Sequence, residues 1–182
     1  MSQRNTHSRI HLKKAFAELL SQKPIEQITV RDIVKQSGIA RSTFYRNFEN
    51  KDDFLTWLRN DLISETASKF AGSGKQIPDF EKFYQYASHN RRMLTSFLTD
   101  YHWPEFVQGL QSSAKKHYTS LLKGRQNIIP VNVLVAFLVG AHVNLFLYWL
   151  QSENPESPQN MAKYHKILAQ NGILQGIDVK IP

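Results

Sequence analysis

Apolar residues recur at intervals of three and four positions along most of this chain, a spacing that favours helices over strands. In the first segment Leu12, Phe16 and Leu19 share it, so we expect a helix over about 6–22 that Pro24 stops. The same pattern predicts further helices at about 30–36, 40–47, 50–63, 79–88, 90–99, 103–122, 130–152 and 158–170. A loop is expected at 71–78, and Gly172 should end the last helix. The expected fold class is therefore all-α.

The chain has 182 residues, of which 41% are hydrophobic, enough to bury a core. Lys and Arg outnumber Asp and Glu by 23 to 15, and residues 1–60 hold 11 of these bases against 6 acids. This local excess favours a polyanionic partner, with nucleic acid ahead of an anionic membrane surface. The lack of cysteine excludes disulfides, thiolate nucleophiles and Cys-ligated zinc.

Two short helices joined by a glycine turn are predicted between residues 29 and 48. Thr29 followed by Asp32 is typical of a capping box at the start of the first of them. Gly38 should end that helix, because glycine readily takes the left-handed backbone of a helix stop. The second helix follows almost at once, and Asn50 should cap a longer helix behind it. This arrangement indicates a helix-turn-helix.

The second of these short helices has two different sides. At about 100° per residue, Phe44 and Phe48 lie on one side, where they would anchor it to a core. The other side carries groups that can bond bases or phosphates: Ser42, Thr43, Tyr45 and Arg46. A solvated face would explain each of these side chains alone. Together with the cap, the turn and the basic charge, they favour a DNA-reading helix.

The run ITVRDIVKQSGIARSTFYRNFENKDDFL, residues 28–55, closely resembles the DNA-binding segment of the tetracycline-repressor (TetR) family. The resemblance covers about residues 8–58. It implies an N-terminal three-helix helix-turn-helix DNA-binding domain, placed here at 1–55. A larger helical domain, 56–182, would dimerise and bind a small-molecule effector.

The resemblance also implies roles for individual residues. Thr29, Tyr45 and Lys51 are similar to the family's phosphate contacts. The full expected DNA-binding set is Thr29, Arg31, Arg41, Ser42, Thr43, Tyr45, Arg46 and Lys51. One position departs from the family: Ala40 stands where Ser or Thr is frequent, and this loses a side-chain cap worth about 1 kcal/mol.

The segment 130–150 is apolar on nearly all sides and should be buried on several of them. Packing against a second subunit would achieve this, in line with the dimer that the resemblance implies. The expected interface residues are Val135, Leu138, Ala141, Leu145 and Trp149. In such a homodimer two recognition helices, one helical turn apart, would require a roughly palindromic operator in double-stranded DNA.

An effector pocket among the C-terminal helices would be lined mainly by aromatic and apolar groups. The candidates are Tyr84, Trp103, Phe106, His117, Tyr118, His142 and Phe146. Ordinary core packing is the alternative for each, and His142 on an apolar helix is more typical of a core histidine than of a sensor. His102 and His117 lack the spacing of metal ligands, so we expect no metal and no cofactor.

Other classes of protein fit less well. The uncharged run 128–150 is long enough to span a membrane, but it contains Pro130, Asn132 and His142 and lacks flanking positive clusters. No catalytic Ser/His/Asp context or phosphate-binding glycine loop is present, which disfavours an enzyme. The sequence therefore predicts a cytoplasmic, sequence-specific transcriptional regulator, a repressor released by a small molecule. The alternative is a co-activator or a regulator controlled by a protein partner.

Overall fold

The computed structural model describes residues 3–71, 78–98 and 103–176, and the side-chain surroundings from 7 to 169 within them. Every regular element in these residues is helical, which confirms the all-α expectation. The helices are α1 Gln3–Leu19, α2 Val30–Ser37, α3 Arg41–Asn47, α4 Lys51–Ala71, α5 Phe80–His89, α6 Arg91–Ser96, α7 Trp103–Leu122, α8 Val131–Gln151 and α9 Pro158–Gly176.

Most helix positions agree with the sequence, but several ends do not: α4 runs on past Ile63 to Ala71, and α6 ends at Ser96 rather than near residue 99. Helix α1 ends at Leu19 rather than near residue 22, and a short 3-10 turn at Ile25–Gln27 follows it. The expected stop at Gly172 is wrong, because α9 continues to Gly176. A glycine inside a helix costs only about 1 kcal/mol relative to alanine, so the turns around it can carry it. Residues 72–77 of the expected loop, and His102, lie outside the described residues.

The chain divides into two compact units, and its boundaries fall within α4, at the start of α6 and directly before α7. The N-terminal unit comprises residues 1–62 and 92–102, and the C-terminal unit comprises 63–91 and 103–182. Within the first unit α1 packs on α2 and α3. Within the second, α5 packs on α9 and α7 packs on α8.

Four phenylalanine rings form the core of the N-terminal unit. Phe54 of α4 lies 5.4 Å from Phe16 of α1, 5.9 Å from Phe44 and 5.2 Å from Phe48, measured between ring centroids. All four side chains are buried. Edge-on and tilted contacts at these distances are favourable beyond the area that they bury. This phenylalanine cluster fixes which side of α3 faces inward.

The C-terminal unit is built around large aromatic side chains. Tyr84 and Trp149 are fully buried, with ring centroids 5.2 Å apart. The indole Nε1 of Trp149 donates to the carbonyl of Glu156, 2.8 Å away, which ties the end of α8 to the loop before α9. The Arg91 guanidinium donates to the carbonyl of Leu150, 2.8 Å away, at the same helix end. The Arg91 bond satisfies a C-terminal carbonyl of α8 that the helix itself leaves open.

Replacing Phe44 with alanine should destabilise the N-terminal unit by about 3–5 kcal/mol, because it opens a cavity in the phenylalanine cluster. The neighbouring Tyr45 is 45% exposed, so Tyr45→Ala provides a matched control that should cost under about 1 kcal/mol. Urea unfolding followed by the fluorescence of Trp57, whose ring lies 5.3 Å from that of Phe48, measures both. Equal losses in the two variants would contradict this account of α3.

Candidate nucleic-acid interface and ligand cavity

Helix α2 begins with the capping box that the sequence predicts. The Thr29 hydroxyl accepts from the Asp32 backbone N–H at 3.2 Å, and the Asp32 carboxylate accepts from the Thr29 backbone N–H at 2.9 Å. The same carboxylate accepts from Lys23 Nζ at 2.6 Å. The hydrogen bonds from Lys23 and Thr29 lower the pKa of Asp32 well below its usual range. The start of α2 is therefore held by a charged network at neutral pH.

The turn between α2 and α3 has the predicted chemistry. Gly38 follows α2 with φ +67°, the left-handed backbone that glycine adopts without strain. Ala40 precedes α3 and makes no side-chain cap bond, as its methyl group dictates. Backbone hydrogen bonds to the Ala40 carbonyl from Thr43 at 2.8 Å and Phe44 at 3.3 Å close the first turn instead. Helix α3 is thus held mainly by its buried aromatic side.

The outward side of α3 presents the predicted reading groups in two pairs. Arg41 donates to the Tyr45 hydroxyl at 3.3 Å, and its guanidinium carbon lies 5.5 Å from the centre of that ring. Arg46 donates to the Thr43 hydroxyl at 2.9 Å. Arg41, Tyr45 and Arg46 are exposed. The structure therefore brings cations and hydroxyl groups together on one solvent-facing surface.

The remaining predicted DNA contacts lie on α3, on or just before α2, and at the start of α4. Ser42 on α3 and Arg31 on α2 are exposed. Thr29 is exposed, but its hydroxyl donates to Asp32 at 2.7 Å within the cap. Lys51 Nζ donates to the carbonyls of Ile25 at 2.7 Å and Glu26 at 3.3 Å, and burial lowers its pKa. Lys51 thus clamps the 3-10 turn to the head of α4, a structural role that its sequence position alone does not indicate.

A small cavity lies in the C-terminal unit among α4, α5, α7 and α8. Its free volume is about 50 Å³. Three of the predicted pocket residues line it: His117, His142 and Phe146. The other lining residues, which the sequence analysis missed, are Thr66, Ala67, Phe70, Phe83, Leu110, Ser113, Ala114 and Val143. Their scattered positions on four helices leave no local sequence signal.

The other predicted pocket residues do not line this cavity. Tyr84, Phe106 and Tyr118 are buried in the surrounding core, and Trp103 is half-buried. Tyr84 contributes indirectly, since its hydroxyl lies 3.1 Å from Nδ1 of His165. Nε2 of His165 in turn contacts Nδ1 of His142. No group of three or more His, Asp or Glu side chains in the described residues is arranged to hold a metal ion.

The predicted dimer residues occupy different sides of α8. Val135 and Trp149 are 5% and 2% exposed, so they have no surface to offer a second subunit, which corrects their assignment. Their side of α8 faces the core of its own unit. Leu138 and Leu145 are half-buried and Ala141 is exposed. The exposed stripe also includes Val133, Phe137 and Tyr148.

Helix α8 is also long and apolar enough to cross a membrane by length and composition, the single such helix in the described part of the chain. Such a helix is weak evidence, because the core helix of a soluble protein passes the same test. Helix α8 packs on α7 and buries His142 among its seven buried residues.

The buried histidines predict how stability depends on pH. Burial lowers the pKa of both His142 and His165 below the ordinary value of 6.5. Below that value the unfolded chain takes up protons that the folded chain does not, so stability is lost as the pH falls. We expect a loss on the order of 1 kcal/mol per pH unit for each histidine between about pH 6.5 and 5. Urea unfolding at several pH values measures it.

A His142→Phe/His165→Phe double variant should lose less stability over this pH range, whatever its stability at pH 7. The exposed His89, changed to Phe, is the matched control and should keep the slope of the parent. Parallel pH curves for the parent and the double variant would refute the assignment.

Two family models match the chain and together cover most of it. Residues 13–56 match bacterial regulatory proteins of the tetR family. Residues 76–171, more than half of the chain, match a transcriptional regulator C-terminal region.

Among curated proteins, the dhaKLM operon transcriptional activator DhaS of Lactococcus lactis subsp. lactis (strain IL1403) is 38% identical over 54 residues. This is 30% of the chain and 29% of DhaS. The matched segments span about a third of the length of the curated relatives.

Solved structures share the fold over nearly the whole chain. A dihydroxyacetone kinase operon activator DhaS superposes with a TM-score of 0.68 and 18% identity, covering 96% of this chain and 98% of that one. FadR from Bacillus subtilis, in complex with stearoyl-CoA, has a TM-score of 0.65 and 15% identity, covering 90% and 98%. With the two family models, this places the chain in the tetR family of bacterial regulatory proteins, as a transcriptional regulator with a helix-turn-helix at its N-terminal end.

Proposed function

We propose that this protein is a cytoplasmic homodimer that binds a palindromic operator in double-stranded DNA and leaves it when a small molecule binds the C-terminal unit. The observation that carries the proposal is the two-sided character of α3. Phe44 and Phe48 hold one side in the core, and Arg46 on the opposite side is exposed, together with Tyr45 and, at the start of the helix, Arg41. A helix anchored in this way can enter a major groove without losing its own packing.

The side chains on α3 suit two different kinds of DNA contact, to bases and to phosphates. A guanidinium can bond guanine through two N–H groups, which suits Arg41 and Arg46 to base reading. The Tyr45 hydroxyl and the Lys51 ammonium suit phosphate oxygens, because such contacts need only a donor at the edge of the groove. To reach phosphate, Lys51 would exchange one of its bonds to the turn carbonyls for a phosphate oxygen.

Arg46→Ala should relax the base preference of the protein at one position in each half-site by about 1–3 kcal/mol. Tyr45→Phe should weaken binding to all sequences alike, since it removes one hydroxyl at the groove edge. Selection of binding sites from random DNA, followed by titration at several salt concentrations, separates these effects. Lys116→Ala, an exposed cation on α7, is the control for charge alone. An unchanged selected motif for Arg46→Ala would remove that residue from the readers.

The exposed apolar stripe of α8 supports the homodimer. Phe137 and Tyr148 are 71% and 69% exposed, and Val133 and Ala141 continue the same side of the helix. Tyr164 and Leu168 add exposed apolar surface on α9. Large apolar side chains exposed along one side of a helix are typical of a subunit interface. No part of it depends on the buried Val135 or Trp149.

Phe137→Glu should shift the protein from dimer to monomer, because a carboxylate would then be buried without a partner between the subunits. Ile10→Glu, on the exposed side of α1, changes a residue of similar exposure and should leave the dimer intact. Sedimentation velocity at micromolar concentration distinguishes the two. A monomeric parent, or a dimeric Phe137→Glu, would contradict the interface.

A second candidate is a regulator that activates transcription under the control of a protein partner. The DhaS relative is named as an activator, and a cavity of about 50 Å³ is smaller than the sites that usually hold drug-sized ligands. Deleting the gene and measuring transcripts tests the direction of control, since transcript levels of a repressor's target genes rise and those of an activator's target genes fall.

Solubility of the purified chain without detergent tests the expectation that α8 lies in no membrane.

A further inference from the structure

We propose that the cavity of the C-terminal unit selects a small uncharged organic molecule by its carbonyl oxygen, which Thr66, His117 and His142 bind by hydrogen bonds. This inference rests on the proposed function in taking the C-terminal unit as the site of a regulating ligand. It adds the chemical class of that ligand and the groups that recognise it.

Most of the cavity wall is apolar. Phe70, Phe83, Leu110, Val143 and Phe146 contribute side chains from four helices. None of the lining residues is Asp, Glu, Lys or Arg, so no fixed charge is available to balance an ionic ligand. A buried ion without a partner would carry a large desolvation cost. The wall therefore favours an uncharged molecule.

Two polar atoms at the cavity have no hydrogen-bond partner among the residues that the structure describes. Thr66 is 2% exposed, and its Oγ1 makes no hydrogen bond. Nε2 of His117 is likewise buried and without a partner. Buried polar groups in proteins are almost always bonded, so each such exception requires an explanation. A bound molecule with a hydrogen-bonding oxygen would satisfy both atoms.

Hydrogen bonds among the buried Tyr84, His165 and His142 determine whether His142 can donate a hydrogen bond to a ligand in the cavity. Burial raises the pKa of Tyr84, so its hydroxyl keeps its proton at neutral pH. Nδ1 of His165 lies 3.1 Å from this hydroxyl. If the hydroxyl donates to Nδ1, the proton of the neutral His165 ring lies on Nε2, which then donates to Nδ1 of His142.

These hydrogen bonds determine whether the other ring nitrogen of His142, Nε2, carries a proton. With Nδ1 as an acceptor, a neutral His142 carries its proton on Nε2. Burial lowers the pKa of His142, which keeps the ring neutral. The opposite tautomer would leave the buried Tyr84 proton without an acceptor, a costly arrangement. His142 therefore offers the cavity a donor, and a carbonyl oxygen is its natural partner.

The size of the cavity limits the proposed ligand to small molecules. A free volume of about 50 Å³ holds a few waters or a molecule with a handful of non-hydrogen atoms. It excludes long acyl chains without a rearrangement of the walls. A small ketone, aldehyde or amide meets the requirements of volume, neutrality and hydrogen bonding together.

Four probes of similar size separate the possibilities: acetone, acetamide, 2-propanol and acetate. The methyl groups of Ala67 and Ala114 line the cavity, and their NMR signals report binding to the full-length dimer without DNA. We expect saturable shifts in the millimolar range for acetone and acetamide, weaker shifts for 2-propanol, and none for acetate. Equal or tighter binding of acetate would overturn the proposed class.

Variants test the recognising groups. Thr66→Val keeps the shape and removes the hydroxyl, and it should weaken acetone binding by about three- to tenfold. Thr119→Val, on the exposed side of α7, is the matched control and should change nothing. Tyr84 does not line the cavity, yet Tyr84→Phe should weaken acetone more than 2-propanol, because it releases the tautomer of His142. A merely structural effect would weaken both probes alike and would refute this chain of hydrogen bonds.

The outcomes also separate this inference from the proposed function. Failure of every probe to saturate the Ala67 and Ala114 signals overturns the ligand class, whereas operator binding by the same preparation leaves the regulator intact. Conversely, saturable acetone binding by a protein that binds no DNA sequence selectively supports the cavity and contradicts the regulator.

Discussion

The contact of Phe54 with Phe44 of α3 and with Phe48, directly after that helix, is the constraint on which the N-terminal unit depends. Helix α3 has seven residues, too few to be stable alone in water, and its N-cap contributes no side-chain bond. Its conformation and its orientation are therefore set by Phe44 and Phe48 against α1 and α4. Because those rings take one side, the polar groups of the other side face outward. The exposed polar surface of α3 is thus a consequence of aromatic packing.

The helix-turn-helix could be predicted almost residue by residue because its signals are local. Its signals all act within one or two helical turns. They are the capping box, the left-handed glycine, Ala40 without a side-chain cap, and the four-residue spacing of the two phenylalanines. Each of them imposes its geometry whatever the rest of the chain does. Lys51 is the exception, because its partners lie 25 and 26 residues earlier in the chain.

The C-terminal unit was less predictable for the opposite reason. Helix α8 is apolar on nearly all sides, so the sequence cannot distinguish the side that meets its own core from the side that stays exposed. Val135 and Trp149 lie on the buried side and Phe137 and Tyr148 on the exposed one, a difference that composition does not encode. Thr66 and His165 lie far apart in sequence from the cavity histidines that they complement, and only tertiary packing reveals them.

The intrahelical pairs on α3 bear on the speed of recognition. An arginine side chain in water samples many rotamers, and ordering it costs up to about 2 kcal/mol of entropy. Stacking of Arg41 on Tyr45 and bonding of Arg46 to Thr43 restrict that sampling before any DNA is present. Part of the ordering cost is thus met during folding rather than at encounter. In the proposed role of α3, the helix would present a nearly preset arrangement of donors to DNA, and less side-chain ordering would remain at encounter.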